Sequence, residues 1–195
     1  MRTKEGNKRQ AITEAAIREF AERGFHQAKI SRIADNAGVA TGSVYLYFRN
    51  KENLLQEIFI KLWQEISSDL QGLVNRTDLN PLEKLEGMID LVVDKFIDNS
   101  PLALVFVNEQ HHLSRQDDNV ISPYYDKFLE LGNNLLTDGI SKGLVNPNIN
   151  TDIARHFIFG GVRHLIHLWA QNSRRYPLNK IRQEVKLLIK KGILK

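Results

Sequence analysis

Hydroxyl and aromatic side chains lie close together around one glycine near the amino end of the chain. Thr41 and Ser43 flank Gly42 and supply hydroxyl donors beside a residue that lets the backbone approach a partner closely. Tyr45 and Tyr47 follow, two residues apart, and each flat apolar ring ends in a hydroxyl that can reach phosphate. Free N–H groups at a helix start also favour phosphate. Such groups position a protein on nucleic acid more than they read its bases.

Basic residues surround this stretch. Lys51 follows Asn50, which is placed to cap the next helix, and Lys29, Ser31 and Arg32 lie at the start of the preceding helix. The first 51 residues carry ten Lys and Arg against five Asp and Glu, whereas the remainder carries 17 against 18. A basic module joined to a nearly neutral body suggests a polyanionic partner such as double-stranded DNA. The alternative is a solvated, lysine-rich amino end.

The stretch predicts a helix, a glycine turn and a second short helix. A helix over residues 30–37 places four apolar side chains on one face: Ile30, Ile33, Ala34 and Ala37. Gly38 permits the positive φ that a tight reversal needs. A helix over residues 41–48 buries Val44 and Phe48, which are four residues apart. This order is typical of a helix-turn-helix, whose second helix is too short to be stable without tertiary packing.

The rest of the chain predicts an all-α fold of about nine helices, because helical periodicity and helix punctuation recur and strand alternation is absent. Asn80, Ser100 and Ser122 each precede a proline at a helix start, and Gly143 ends the third of these helices. The expected remaining helices are Lys8–Arg23, Lys51–Val74, Thr151–Asn172 and Asn179–Gly192. We expect a DNA-binding domain over residues 1–50 and a larger helical domain over residues 51–195.

Composition excludes several classes of protein. The 195 residues contain no cysteine, which removes thiol nucleophiles, disulfides and cysteine-bound metal centres and fits a reducing compartment. The longest purely apolar run, residues 102–107, is far short of the roughly 20 residues that a membrane span needs. The basic amino end has no apolar run behind it, unlike a signal peptide. We therefore expect a cytoplasmic protein without a membrane partner.

The amino-terminal quarter resembles the DNA-binding region of the TetR family of bacterial transcriptional repressors. The matching residues are Gly24, Phe25, Ile33, Ala34, Ala37, Gly38, Val39, Gly42, Tyr45, Tyr47, Phe48, Lys51, Glu52 and Leu54. The resemblance implies that five residues approach DNA: Thr41, Gly42, Tyr45, Tyr47 and Lys51. It also implies a ligand-responsive repressor that binds a palindromic operator as a homodimer, with its two recognition helices about 34–36 Å apart.

The sequence departs from the family pattern in two places. Ala28 and Lys29 stand where many members have threonines that cap the helix and touch phosphate, although a lysine can still reach phosphate. Thr41 stands where many members have lysine. The candidate DNA-binding residues are Lys29, Ser31, Arg32, Thr41, Gly42, Ser43, Tyr45, Tyr47 and Lys51.

The resemblance implies that the remaining residues dimerise, and the last two helices are the candidates. Their predicted interface residues are Phe157, Gly161, His164, Leu168, Ile181, Val185 and Leu188. Gly160 and Gly161 in mid-helix cost about 1 kcal/mol each relative to alanine, which suggests close helix approach or a ligand nearby. Two such helices from each subunit would form a four-helix interface. The alternative is that both faces only complete the core of a single chain.

The resemblance also implies an inducer site among the helices between residues 81 and 169. Its candidate residues are Phe96, Phe106, Glu109, Arg115, Tyr124, Phe128, Arg155, Phe159, Arg163 and Trp169. Residues 155–161 followed by Trp169 resemble the corresponding helix of acyl-CoA-responsive repressors of fatty-acid degradation. This predicts a long-chain acyl-CoA or another elongated hydrophobic inducer. A multidrug-responsive repressor of the same family, with Glu109 meeting a cationic drug, is the alternative.

A helical enzyme acting on an acyl substrate is a hypothesis of a different class. The sequence contains no G-x-S-x-G motif, no phosphate-binding glycine loop and no H-E-x-x-H motif. His164 and His167, three residues apart on one helix face, could ligate a metal, but no nearby Cys, Asp or Glu completes a ligand set on that face. We therefore expect no enzymatic activity, no metal and no cofactor.

Overall fold

The computed structural model describes residues 3–114 and 122–193, and this part of the chain is entirely helical apart from turns and loops. The predicted all-α fold is confirmed, with nine helices in these two ranges. They are α1 (Thr3–Gln27), α2 (Ile30–Asn36), α3 (Thr41–Val44), α4 (Lys51–Val74), α5 (Pro81–Asp94), α6 (Ser100–Ser114), α7 (Ser122–Ser141), α8 (Thr151–Gln171) and α9 (Leu178–Ile193).

The helices form two compact units. The first comprises Met1–Leu62 and Pro101–Ile121, so α6 belongs with the helix-turn-helix. The second comprises Trp63–Ser100 and Ser122–Lys195. The division runs through α4, whereas the expected domain boundary at residues 50 and 51 stays a prediction.

The first unit is built on α1 and the helix-turn-helix. Ile12, Phe20 and Ile33 are fully buried in its core, together with Val44 and Phe48, the two residues predicted to hold the second helix in place. The core is continuous with the first half of α4 and with α6 through the stacked rings of Phe59 and Phe106, whose centroids are 6.1 Å apart.

Two glycines with positive φ shape the first unit. Gly24 has φ 72° and ψ 158°, so it interrupts the helical geometry of α1 next to Arg23, where the sequence predicts that the helix ends. Its ψ lies outside the left-handed helical region. Gly38 has φ 66° and makes the predicted reversal after α2.

The prediction of a helix over residues 41–48 is wrong in length, because α3 ends at Val44. The N–H groups of Leu46 and Tyr47 bond to carbonyls three residues back, on Ser43 and Val44, at 3.3 and 3.0 Å. Such bonds tighten the last turn of a helix and end it.

Local capping defines several other helix starts as predicted. The Asn80 side chain accepts hydrogen bonds from Leu82 and Glu83 N–H, and the Glu83 carboxylate accepts one from Asn80 N–H at 2.7 Å, which completes a capping box. Asn150 accepts from Ile153 N–H at 3.0 Å. Asn50 accepts from Asn53 N–H at 2.7 Å, as expected for the cap of α4.

The second unit packs α5 and α7–α9 with the second half of α4. Trp63, at the start of that half, meets Tyr125 and Phe128 edge-on, with ring centroids 5.9 and 5.8 Å away. Charged side chains join α5 to α9 on the outside of this core: Glu86 with Lys190, Asp90 with Lys186, and Asp94 with Arg182.

Candidate DNA-binding surface and ligand cavity

The helix-turn-helix presents its hydroxyl and tyrosine edge to solvent. Tyr45 is 55% exposed and Leu46 is 81% exposed. Thr41 and Gly42 are also exposed, and Ser43 and Tyr47 are half-buried, as expected for groups beside the buried Val44 and Phe48. At the start of α2, Lys29, Ser31 and Arg32 are exposed. The structure therefore brings eight of the nine candidate DNA-binding residues to an accessible edge of one unit.

The helix starts on this edge are not capped by side chains. Lys29 is the N-cap of α2 and makes no side-chain cap bond, so the expected loss of the threonine cap is real in the structure. Its backbone N–H instead lies 3.4 Å from Oε1 of the buried Glu19. Ala40 precedes α3 and likewise provides no side-chain cap.

The ammonium group of Lys51, the ninth candidate, is hydrogen-bonded within the protein. Its Nζ donates hydrogen bonds to the carbonyl oxygens of His26 at 3.2 Å and Ala28 at 3.1 Å. The same ammonium group is 4.5 Å from the centroid of the Phe25 ring, which is a cation–π contact. The side chain is half-buried and faces the loop between α1 and α2.

Two residues predicted for the inducer site belong to the first unit. Glu109, which is buried, accepts a hydrogen bond from Phe25 N–H at 3.0 Å through Oε1. Phe106 is buried against Phe59. A role for either residue in ligand binding stays a prediction, and Arg115 lies outside the described residues.

An apolar cavity of about 50 Å³ lies inside the second unit, between α5, α7 and α8. Three of the predicted inducer residues line it: Phe128, Arg155 and Phe159. The other lining residues are Leu85, Met88, Ile89, Val92, Leu129, Gly132, Leu136, Ile158 and Val162. Sequence reasoning missed them because apolar residues at helical spacing are indistinguishable from ordinary core.

The remaining predicted inducer residues of the second unit do not line this cavity. Phe96 and Trp169 are buried. The Tyr124 hydroxyl is within 3.4 Å of Gln64 Nε2. Arg163 is half-buried, and burial lowers the pKa of its guanidinium below the ordinary value while neighbouring Tyr125 raises it.

Two arginines lie close enough to Tyr125 to affect the pKa of its hydroxyl. Burial raises the pKa of the Tyr125 hydroxyl, and the positive charges of Arg163 and Arg155 oppose that shift. Tyr125 packs edge-on against Phe159, with centroids 5.2 Å apart. Arg155 Nε donates to Asp152 Oδ1 at 2.9 Å. Two arginines therefore act electrostatically on one tyrosine that touches a cavity-lining ring.

The predicted dimer residues divide into two groups. Phe157 is 80% exposed, Leu188 is 68% exposed, and Gly161 and His164 are exposed, whereas Leu168 is half-buried. Ile181 and Val185 are buried within the unit. Ile153 and Leu187, which the sequence did not single out, are also exposed. A Cβ built on Gly160 or Gly161 would meet nothing within 4 Å, so neither glycine accommodates a neighbour within the chain.

The histidines of α8 make no metal centre in the part of the chain that is described, where no group of three His, Cys, Asp or Glu lies close enough to hold an ion. His164 is exposed, and a ring nitrogen of His167 is 2.8 Å from Gln171 Nε2. Across the same residues, no helix is both long and apolar enough to cross a membrane.

Comparisons with known proteins agree with this architecture. The family model described as "Bacterial regulatory proteins, tetR family" matches residues 12–58, and the model described as "YsiA-like protein, C-terminal region" matches residues 57–192. The chain is similar to the fatty acid metabolism regulator protein of Bacillus subtilis (strain 168), with 31% identity over 183 residues that cover 93% of each chain.

Two solved structures show the same likeness. One is the fatty acid degradation regulator FadR from Bacillus halodurans, with a TM-score of 0.77, 30% identity and 95% of each chain covered. The other is FadR from Bacillus subtilis in complex with stearoyl-CoA, with a TM-score of 0.76, 31% identity, and 94% of this chain and 98% of that chain covered. The chain belongs to the TetR family of bacterial regulatory proteins. It is thus a transcription regulator and not an enzyme.

Proposed function

We propose that this regulator is a homodimeric repressor that binds a palindromic operator and is released by a long-chain acyl-CoA. The contacts to DNA would come from Lys29, Ser31, Arg32, Thr41, Gly42, Ser43, Tyr45 and Tyr47. Residues 1–50 would form the DNA-binding domain, and residues 51–195 the ligand-binding and dimerisation domain. Such a protein acts where the chromosome is, in the cytoplasm.

The observation that carries the ligand assignment is the composition of the cavity. Arg155 is its one charged lining residue among those described, and the other eleven are apolar. An acyl chain matches this lining, whose exposed surface is entirely apolar, because Arg155 contributes its aliphatic stem and pairs its guanidinium with Asp152. The complex of the similar B. subtilis regulator with stearoyl-CoA supports the same chemistry. A cationic drug is a poorer match, because Glu109 lies in the other unit and bonds to Phe25 N–H.

Because the cavity is small, a ligand that enters it would have to change the conformation of the protein. A volume of about 50 Å³ is far below the roughly 300–1,000 Å³ of ordinary ligand pockets. A long acyl chain therefore needs α5, α7 and α8 to move apart, and the flexible end of Met88 is among the groups that must give way. The ligand would bind the widened state far better than the closed one, and this unequal affinity is what shifts a conformational equilibrium.

The exposed apolar face of α8 and α9 supports the homodimer. The same face of a second copy would cover the exposed apolar residues of these two helices, which are Ile153, Phe157, Leu187 and Leu188. The open space above Gly160 and Gly161 would allow the two α8 helices to approach closely.

The test uses a 30-base-pair duplex recovered with the wild-type protein by selection from random-sequence DNA. Fluorescence anisotropy then follows its release by stearoyl-CoA, with CoA and stearate as separate controls. We expect a palindromic duplex that is released by stearoyl-CoA and retained with CoA alone. Recovery of no preferred duplex would refute the DNA-binding function, and release by a cationic amphiphile but not by acyl-CoA would refute the inducer class.

A further inference from the structure

Charged side chains from three helices hold the kinked end of α1 and the residues that lead into α2. We call residues 24–29 the α1–α2 corner. Its backbone turns at Gly24, whose carbonyl accepts from Ala28 N–H at 3.2 Å. Lys29, the last residue of the corner, is also the N-cap of α2. The geometry of the corner therefore sets where α2 begins and how its exposed start faces DNA.

Glu109 of α6 holds the corner from one side. Its Oε1 accepts the Phe25 N–H at 3.0 Å, in a buried hydrogen bond between residues 84 positions apart. A charged acceptor makes such a bond stronger than a neutral one. Gly24 has no side chain, and a Cβ built there would lie 3.9 Å from the same oxygen, so the carboxylate is at contact distance from the turn.

Lys51 of α4 holds the corner from its carbonyl side. Two of the three ammonium donors are used on His26 and Ala28 oxygens, at 3.2 and 3.1 Å. The Phe25 ring lies against the ammonium group at 4.5 Å. The positive charge of Lys51 is directed into the protein, at the oxygens that end the corner.

We propose that Glu109 and Lys51 are positioning residues, which hold the α1–α2 corner in the geometry that specific DNA binding requires. Glu109 fixes an N–H group and Lys51 fixes two carbonyls, so the two charges clamp the corner through its opposite backbone groups. Glu19 assists from α1, since its carboxylate lies 3.4 Å from Lys29 N–H and 3.6 Å from Arg23 Nε. This inference rests on the proposed DNA-binding function.

Salt dependence separates positioning from phosphate contact. Each phosphate contact contributes about 0.9 to the slope of log affinity against log salt concentration, so one contact per subunit contributes about 1.8 in a dimer. A positioning residue contributes nothing to that slope. It contributes to the preference for the specific duplex, because a non-specific duplex is bound electrostatically and does not need the exact geometry of α2 and α3.

The experiment measures the affinity of four variants for the selected 30-base-pair duplex and for a scrambled duplex at several salt concentrations. Lys51→Met keeps the aliphatic stem and removes the ammonium, Glu109→Leu removes the acceptor, and Glu109→Gln keeps an acceptor oxygen. Lys29→Met is the matched control for an exposed lysine at the same corner. Stoichiometric titration of each variant corrects for any inactive fraction.

We expect E109L to weaken specific binding by about five- to hundredfold, from the cost of an unpaired N–H group, with unchanged salt slope and unchanged affinity for scrambled DNA. K51M should weaken specific binding more than it weakens binding to scrambled DNA. E109Q keeps a neutral acceptor and should weaken specific binding less than E109L. K29M should lower the slope by about 1.8 and weaken both duplexes. An equal loss of affinity for the specific and the scrambled duplex in K51M would overturn the proposal for Lys51, and wild-type specific binding by E109L would overturn it for Glu109.

Amide hydrogen exchange tests the clamp without DNA. The Phe25 amide should exchange faster by at least tenfold in folded E109L and keep wild-type protection in E109Q, while amides in the core of α4 remain protected in both. Unchanged protection of Phe25 in E109L would overturn the clamp. If the wild type selects no duplex while E109L still loses Phe25 protection, the proposed DNA-binding function fails and the clamp itself stands.

Discussion

Lys190 of α9 places its ammonium nitrogen 2.9 Å from a carboxylate oxygen of Glu86 in α5. The pairing repeats every four residues along the two antiparallel helices, with Asp90 meeting Lys186 and Asp94 meeting Arg182. Residues four apart lie on one face of a helix, so three acids and three bases form a continuous ladder. Exposed ion pairs are weak singly, whereas a network that is half-buried stabilises more per pair.

The centre of this ladder should matter most. Asp90 contacts Lys186 and lies 3.7 Å from Arg182 Nε, so Asp90→Ala removes two interactions at once. We expect a loss of about 1 kcal/mol and a fall in Tm of about 3 °C, measured by thermal unfolding followed by circular dichroism. Asp78→Ala, in an exposed pair with Arg76, is the control and should lower Tm by less, because solvent screens an exposed pair. Equal effects of the two variants would contradict the ladder.

Asp78 should titrate at unusually low pH. The side-chain hydrogen bond from Arg76 lowers the pKa of this carboxyl from 3.8 to about 2. A lowered pKa means that the pairing favours folding above pH 3.8 and that this contribution is lost as pH falls through about 2. Carboxyl-carbon NMR should show the midpoint near 2 in the wild type and near the ordinary value in Arg76→Ala. A midpoint that does not move in that variant would show that Arg76 is not the cause.

The exposed aromatic ring of α8 should be needed for dimerisation. Phe157→Asp places a charge where the proposed interface is apolar, and desolvation of an unpaired carboxylate opposes association. We expect a monomer by size-exclusion chromatography with light scattering, at concentrations where the wild type is a dimer. Ile97→Asp changes another exposed apolar residue of the same unit and should remain dimeric. A dimeric Phe157→Asp protein would place the interface elsewhere.

The Tyr45 hydroxyl should contribute to DNA affinity. Tyr45→Phe keeps the ring and removes one hydrogen bond to DNA per subunit, each worth about 1 kcal/mol, so specific binding by the dimer should weaken by about thirtyfold. Anisotropy titration with the selected duplex measures this. Tyr176→Phe removes a hydroxyl from the turn before α9 and should bind DNA like the wild type. No change in Tyr45→Phe would remove this hydroxyl from the proposed contacts.

Filling the cavity should abolish the response to ligand and leave DNA binding intact. Gly132 lines the cavity, and a Cβ there lies 3.6 Å from Met88 Cε, at ordinary contact distance, so Gly132→Leu can project into the space. We expect DNA affinity like the wild type and release by stearoyl-CoA at concentrations at least tenfold higher. Gly72→Leu is the matched control, because Gly72 is a helical glycine with open space around it. Wild-type release from Gly132→Leu would mean that the acyl chain binds elsewhere.

The helix-turn-helix could be predicted closely because its determinants are local. Gly38 adopts the expected positive φ, and Val44 and Phe48 are buried as their spacing indicated. The predicted length of α3 was wrong, because the change to hydrogen bonds between residues three apart after Val44 cannot be recognised from the residue types. The cavity could not be predicted, because its lining residues differ from core residues only by a gap in packing between three helices.

The amino-acid sequence by itself determined the all-helical class, the helix starts at Asn80 and Asn150, and the family, because caps and motif residues act within a few positions of the chain. Only the tertiary structure decided that Lys51 and Glu109 face the α1–α2 corner. These contacts join residues 23 and 84 positions apart, and the partners are backbone groups, which every residue carries. No pattern of residue types marks such a pairing before the helices are packed.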